Sequence, residues 1–246
     1  SRFLRGGEVR DRFGLDRTGA ILSQGSASAD PAQLTAGLLR RAEARGARIY
    51  SPVEAVEAIS DPDGVTLLTG GGRAVRASAV VFCCGYERPT GVAAPDSNVV
   101  STWALASTPG ISVPAWLRDT LVWEASDPYL YMRMSRDGRL VIGGEDEDSA
   151  TAHESQPLLK RKAARIISKF KRLFPTVTLD IDYAWAGAFG ESATGLPHIA
   201  PVEGLDHAWA VMGFGGNGIT SSVIASQVVA AALRGGQDPD ADLYRL

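Results

Sequence analysis

Gly213, Gly215 and Gly218 stand between the apolar run 208–212 and a mostly apolar stretch from Thr220 to Leu233. Strand, glycines and helix in that order spell G-x-G-x-x-G, a pattern that sets a phosphate against a helix N-terminus. A dinucleotide site also needs a second strand and an acidic residue about 20 residues further on. The sequence stops at Leu246 before either, so a pyrophosphate site is not expected here. What survives is backbone open to a flat ligand and a helix end with unsatisfied N–H groups and positive dipole charge. Tight helix–strand packing without a ligand is the alternative.

Tyr131 and Arg133 lie two apart, hence on one face if the segment is a strand. A hydroxyl and a guanidinium so placed can hold a carboxylate, the latter through two parallel bonds; a plain polar strand face is the competing reading. The run Glu145-Asp146-Glu147-Asp148 lacks the spaced loop of a calcium site and reads as a solvated loop. His153, His198 and His207 have no pair at helical ligand spacing, so no metal site is expected, and His198 reads as a satisfied structural histidine. Gly190 to Gly195 (G-E-S-A-T-G) is one residue too long for a hydrolase nucleophile elbow, and Pro197 blocks the helix that should follow. Lys160, Arg161, Lys162, Arg165, Lys169, Lys171 and Arg172 crowd one helix-like stretch that has no acidic residue, and read as a solvated basic face. Cys83 and Cys84 are adjacent on an apolar run, so they point to opposite faces and suit packing better than a disulfide.

The elements that must position these groups are partly legible. Asp30-Pro31 opens a helix as N-cap and first residue, with Gln33 completing the cap and Gly46 ending it; Leu34, Leu38, Leu39 and Ala42 form its apolar face. Strands are expected at 48–51, 53–59, 65–69 and 74–84, with Asp61-Pro62-Asp63-Gly64 and Gly70-Gly71-Gly72 as turns. Further strands are expected at 99–107, 121–124, 129–134 and 139–143, the last two joined by Arg136-Asp137-Gly138. A helix over 157–174 should bury Leu159, Ala163, Ile166, Ile167, Phe170 and Phe174. Strands at 179–185 and 208–212 and a helix at 220–233 complete an α/β (α+β) chain: a partial α/β sheet beside an antiparallel sheet flanked by helices.

Composition narrows the function classes. With 246 residues, 45% hydrophobic and 22% charged, the chain can bury a sizeable core. Lys+Arg 25 against Asp+Glu 28 gives −3, which is no basic footprint for nucleic acid. No run reaches the roughly 18 consecutive apolar residues of a membrane span. The N-terminus lacks the apolar segment of a secretory signal, so a cytoplasmic protein is expected.

Five groups of motifs, in order over nearly the whole chain, resemble the D-amino-acid-oxidase and glycine-oxidase family of FAD-dependent oxidoreductases. Asp30-Pro31 and its helix resemble the helix that packs on the family's FAD domain, and Tyr50-Ser51-Pro52-Val53 the strand end whose valine backbone meets the adenine. Phe82-Cys83-Cys84-Gly85-Tyr86 is similar to the A-T-G-A-Y strand end beside the FAD. Tyr129 to Arg133, with Asp137 to Glu145, is similar to the Y-x-R … D-G-R-L-x-x-G-G-E-D hairpin. Trp185-Ala186-Gly187 and Gly195-Leu196-Pro197-His198-Ile199 resemble W-A-G … G-L-P-x-I-G, with Ala200 in place of the usual glycine, and Gly213 to Thr220 the C-terminal flavin-contacting segment. The resemblance implies FAD contacts at Val53, Cys84, Gly85, Gly215, Gly216, Asn217, Gly218, Ile219 and Thr220, and a substrate role for Tyr131 and Arg133.

It also implies a division into 1–88 with 187–246, a partial FAD-binding domain, and 89–186, a substrate-binding domain. The implied reaction oxidises the C–N bond of a small amine or amino acid by hydride transfer to flavin N5. The family's opening βαβ unit is not found, so the sequence resembles the C-terminal two-thirds of such an enzyme. Strands deprived of leading neighbours should leave an exposed sheet edge, and a homodimer through it is expected. The rival reading is a non-catalytic binding subunit or inert domain of a larger flavoprotein, which a flavin absorbance spectrum helps to separate from an enzyme.

Overall fold

The structure is a computed structural model and describes residues 1–86 and 97–245; the expected domain boundary at 88–89 lies outside the described residues. The chain runs β1 (Arg2–Arg5), α1 (Gly6–Phe13), β2 (Gly19–Leu22), α2 (Pro31–Glu43), β3 (Ala55–Asp61), β4 (Gly64–Thr69), β5 (Ala74–Ala77) and β6 (Val80–Phe82). It continues with β7 (Ser97–Ser107), β8 (Val122–Trp123), β9 (Leu130–Met134), β10 (Leu140–Glu147), α3 (Gln156–Leu173), β11 (Ile181–Ser192), β12 (His198–Pro201), β13 (Ala208–Met212) and α4 (Gly218–Leu233). The mixed α/β architecture is the one expected. Two compact units divide it, 1–29 with 101–188 and 30–100 with 189–246.

In the first unit the antiparallel sheet has strand order β11-β7-β10-β9-β8. Alternation aims Trp103, Leu105, Leu130, Met132, Leu140 and Ile142 at one face, where α3 lays Ile166, Phe170 and Phe174 on them. Leu159, Ala163 and Ile167 flank this core, as the helical spacing predicts. Ser155 caps α3 by accepting from the Leu158 N–H. Gly138 turns β9 into β10 with φ 78°, the left-handed conformation that the Arg136-Asp137-Gly138 turn requires. Residues 1–29, grouped on sequence with the cofactor side, belong to this unit. Trp116 Nε1 donates to the Phe13 carbonyl at 3.1 Å, and Arg17 pairs with Glu124 at 2.6 Å. The short hairpin β1–β2 and the helix between went unread in the sequence.

In the second unit β12-β13-β6 form one sheet and β3-β4-β5 another. Phe82, Ala208, Ala210 and Met212 meet Ala58 and Leu67 from the β3–β5 sheet, whereas Ile199 and Val211 meet Ala225, Val228 and Val229 of α4. The β12-β13-β6 sheet is thus covered on both faces, which is why its strands read as continuous apolar runs. The stretch Gly215–Leu233 is long and apolar enough, by length and composition only, to cross a membrane, which the count of consecutive apolar residues did not pick out.

Four sequence expectations are corrected here. The single strand expected over 74–84 is two, β5 and β6, in different sheets, and it ends at Phe82, so Cys83 and Cys84 lie past it and are exposed rather than buried. Residues 48–51 form no strand; they carry apolar residues, but a strand also needs a neighbour to take its backbone groups. The Asp30 cap is present, its carboxylate accepting from the Gln33 N–H at 3.0 Å. The apolar face of α2 is nevertheless exposed, Leu38 by 62%, because capping and helical propensity fix a helix without supplying a surface to cover it. The fourth correction concerns the acidic and basic runs and is taken up with the site.

Candidate functional site

The sheet of the second unit gathers the glycine motif with a distant segment. β13 and β6 run parallel, with Ala208 opposite Val80, Trp209 opposite Val81 and Ala210 opposite Phe82. Both strands therefore leave the sheet at the same end. From one emerges Cys83-Cys84-Gly85 and from the other Gly213 to Thr220. The carboxyl ends of parallel strands are where open α/β sheets take their ligands. Gly213 and Gly215 hold φ of 70° and 53°, which turn the chain from β13 into a short 3-10 turn and then α4. Gly216, Asn217, Ile219 and Thr220 are exposed, and Gly215 and Gly218 half-buried. Asn217 makes no side-chain capping bond, so no cap side chain takes up the first N–H groups of α4. Val53 sits in the loop before β3, exposed, outside the group that this register gathers.

His198, read from the sequence as a structural histidine, joins this end. It opens the antiparallel β12 opposite Met212, and its backbone nitrogen lies 3.9 Å from where a Cβ on Gly213 would stand. The side chain is 8% exposed, and Nδ1 has no hydrogen-bond partner among the described residues, so it is not the satisfied structural histidine expected. Burial disfavours its charged form and lowers its pKa from the ordinary value. The unfolded chain then binds the proton more readily than the folded one. Stability from this group is unchanged above about pH 6.5 and falls as pH drops below that value toward the folded pKa. Thermal melts at pH 7.5 and 5.5 should show a smaller acid loss for His198→Gln than for the natural protein. An equal loss would mean that the imidazole protonates freely in place.

Ser192, the hydroxyl of the near-elbow, is buried and donates to the Leu196 carbonyl at 2.5 Å. Gly190 leaves room for the Tyr86 ring, which an added Cβ would meet at 2.8 Å. The segment is a packed strand end and turn.

In the first unit β9 turns Leu130 and Met132 into the core and Tyr131 and Arg133 to the opposite face, as the spacing predicts. Tyr131 stands opposite Gly143, where a Cβ would lie 2.3 Å from its hydroxyl oxygen. Its pKa is raised, first by burial and then by the Asp146 charge, against smaller opposing effects of Arg133 and a hydrogen bond with Thr102. The hydroxyl is therefore protonated at neutral pH and available as a donor. Tyr129 beside it donates to Asp146 at 2.6 Å, and its ring lies 5.5 Å from Trp123. Among the described residues Arg133 forms no ion pair.

Both the acidic run and the basic helix were expected to be solvated, and in part they pair instead: Glu145 and Glu147 meet Lys162, Arg165 and Lys169, while Lys160, Arg161, Lys171 and Arg172 stay exposed as expected. Between Gly144 and Glu147 the ladder slips, three steps along β10 against two along β7. Gly144 with φ 135° and Glu145 with φ 61° form this bulge, which aims the Glu145 side chain at α3. Glu145 and Lys162 are each 2% exposed. Lys162 Nζ donates to the Glu145 carbonyl, reaches Glu147 at 2.9 Å, and lies 4.5 Å from the Trp103 ring centroid. Lys169 pairs with Glu145 Oε1, and Arg165 comes within 3.7 Å of Oε2. A run of carboxylates facing a helix with seven cations and no acid was the signal available in the sequence. Among the described residues no group of three His, Cys, Asp or Glu side chains could hold a metal ion.

One unit is an α/β sheet with a glycine turn at the end of parallel strands, and the other is an antiparallel sheet carrying Tyr131 and Arg133. The chain belongs to the FAD dependent oxidoreductase family, whose model matches residues 1–232. The probable oxidoreductase OrdL of Rhizobium meliloti (strain 1021) is 25% identical over 232 residues, 92% of this chain and 51% of that protein. Gamma-glutamylputrescine oxidoreductase of Escherichia coli (strain K12) is 23% identical over 241 residues, 92% of this chain and 53% of that protein. Glycine oxidase from Geobacillus kaustophilus superposes with a TM-score of 0.79 at 21% identity, over 97% of this chain and 64% of that one. Iminodiacetate oxidase from Chelativorans sp. BNC1 gives 0.78 at 21% identity, over 99% and 66%. The chain thus spans about half the length of these curated relatives.

Proposed function

We propose that the protein serves FAD-dependent oxidation of the carbon–nitrogen bond of a small amine or amino acid. The observation that carries this reading is the parallel β6–β13 register, which brings Cys84-Gly85 and the uncapped start of α4 to one end of a sheet. The residues there suit a flat, partly anionic ring system. The exposed residues Gly216, Asn217, Ile219 and Thr220 admit close approach, and the dipole of α4 favours negative charge. Bound FAD would supply the two-electron acceptor for the carbon next to nitrogen, by hydride transfer in our reading. The chain's own part is to hold and orient. Cys84, Gly85 and Gly215 to Thr220 would hold the flavin, with Val53 at its adenine end, and Tyr131 and Arg133 would hold the substrate, Tyr131 as a neutral donor and Arg133 as a guanidinium fork.

Arg133→Ala should weaken oxidation of amino acids by about 2–4 kcal/mol in kcat/KM, as for a lost charge-assisted contact, and change neutral amines little. A substrate panel with peroxide and dye-reduction readouts tests it. Equal losses on acids and amines would remove Arg133 from carboxylate binding.

We further propose a cytoplasmic protein that pairs with a second copy along the outer edge of β6, the last strand of its sheet. Light scattering should give a dimer, and a monomer at all concentrations would contradict the pairing.

A further inference from the structure

The helix α3 carries more positive charge than its buried partners consume. Its seven cations sit in a chain whose net charge is −3. Lys162 and Lys169 are committed to Glu145 and Glu147. Arg172 is not, contacting the Ser168 hydroxyl at 3.1 Å, and Arg165, 55% exposed, joins Glu145 only at 3.7 Å and keeps much of its guanidinium in solvent. Residues 165, 168, 169 and 172 follow the i, i+3, i+4, i+7 pattern and so form one stripe along the helix. With Pro128 and Glu145, that stripe lines an open groove of about 290 Å³.

We infer that this groove is a binding site for a small polyvalent oxyanion, seated between the Arg165 and Arg172 guanidinium groups. The lining holds Arg165, Lys169 and Arg172 against one carboxylate, Glu145, whose charge Lys169 balances, which leaves the two arginines in excess. Glu145 therefore does not repel an anion there, while the lining offers two guanidinium forks and the Ser168 hydroxyl. Guanidinium groups match the planar, two-oxygen edge of carboxylate and phosphate better than ammonium does. The volume is at the low end of ligand clefts, roughly 300–1,000 Å³, which suits inorganic phosphate or a small di- or tricarboxylate rather than a nucleotide. Lys169 Nζ, held by the Pro128 carbonyl at 2.9 Å, fixes the groove's width. The site lies on the α3 side of the sheet, away from the face that bears Tyr131 and Arg133, so it does not depend on the proposed reaction.

Isothermal titration of the 246-residue protein with inorganic phosphate, and separately with citrate, at constant ionic strength set with KCl, tests this. Saturable one-to-one binding of at least one of the two anions is expected. Arg165→Ala and Arg172→Ala should each weaken it about tenfold or more, with the folded state retained by circular dichroism. Lys171→Ala, which removes an exposed cation next to Arg172 in sequence but off the stripe, should leave it within about twofold. The proposal is overturned by absence of saturable binding of both anions, by unchanged affinity in both arginine variants, or by an equal loss in Lys171→Ala, which would mark a diffuse surface charge effect.

Discussion

Gly144→Ala should cost about 3 kcal/mol or more of folding stability, the largest effect expected of adding one methyl group to this chain. Gly144 holds φ 135°, where an L side chain is strained, and its Cβ would lie 2.1 Å from the Tyr129 carbonyl oxygen. That oxygen belongs to backbone, so no side chain can swing aside. The residue also begins the bulge that aims Glu145 under α3. Strain, collision and a misdirected carboxylate act together at one position. Urea unfolding of the variant should show a lower midpoint, and a change under 1 kcal/mol would mean that the bulge is not required.

Lys162→Ala should cost about 3–5 kcal/mol, the penalty for breaking a buried ion pair by removing one partner. Lys162 contacts the Glu145 carbonyl, the Glu147 carboxylate and the Trp103 ring. Its loss leaves Glu145, 2% exposed, with Lys169 and the more distant Arg165. Most of the cost is the remaining buried charge, not the attraction itself. Lys162→Met combined with Glu145→Leu should therefore recover much of the stability that Lys162→Met alone loses. Strict additivity of the two changes would show that the pair is not coupled.

These two sites mark where sequence reading stops. Local chemistry was legible. Asp30 caps its helix, Gly138 turns its hairpin, and the period of 157–174 names the residues that α3 buries. Each of these depends on neighbours within one or two turns of chain. The acidic run failed because the decision to bury Glu145 is made by a one-residue slip in the ladder and by cations about 20 residues away, and neither shows in composition. The Ala74–Cys84 run failed for a related reason, since an apolar stretch does not announce that its two halves join different sheets. Exposure of the α2 face and of Cys84 is likewise set by what lies opposite them, which a local pattern does not encode.

The candidate site divides along the same line. The glycine turn and the Tyr131–Arg133 pair were legible because strand and helix periodicities place them directly. The glycine turn's association with Cys84 and Gly85 was legible only through the family resemblance, not from local pattern. The parallel register that brings Cys84-Gly85 beside the glycine turn joins segments more than 120 residues apart in sequence, and the unpartnered Nδ1 of His198 follows from β12 pairing with β13.

The reading of this chain as part of an amine-oxidising flavoprotein is tested most directly by anaerobic titration of the FAD-loaded protein with a panel of amino acids and neutral amines, following the visible flavin absorbance. At least one of them should bleach the flavin band, at a rate that Arg133→Ala lowers for amino acids. Failure to take up FAD, or a flavin band that no amine or amino acid bleaches, would contradict the account.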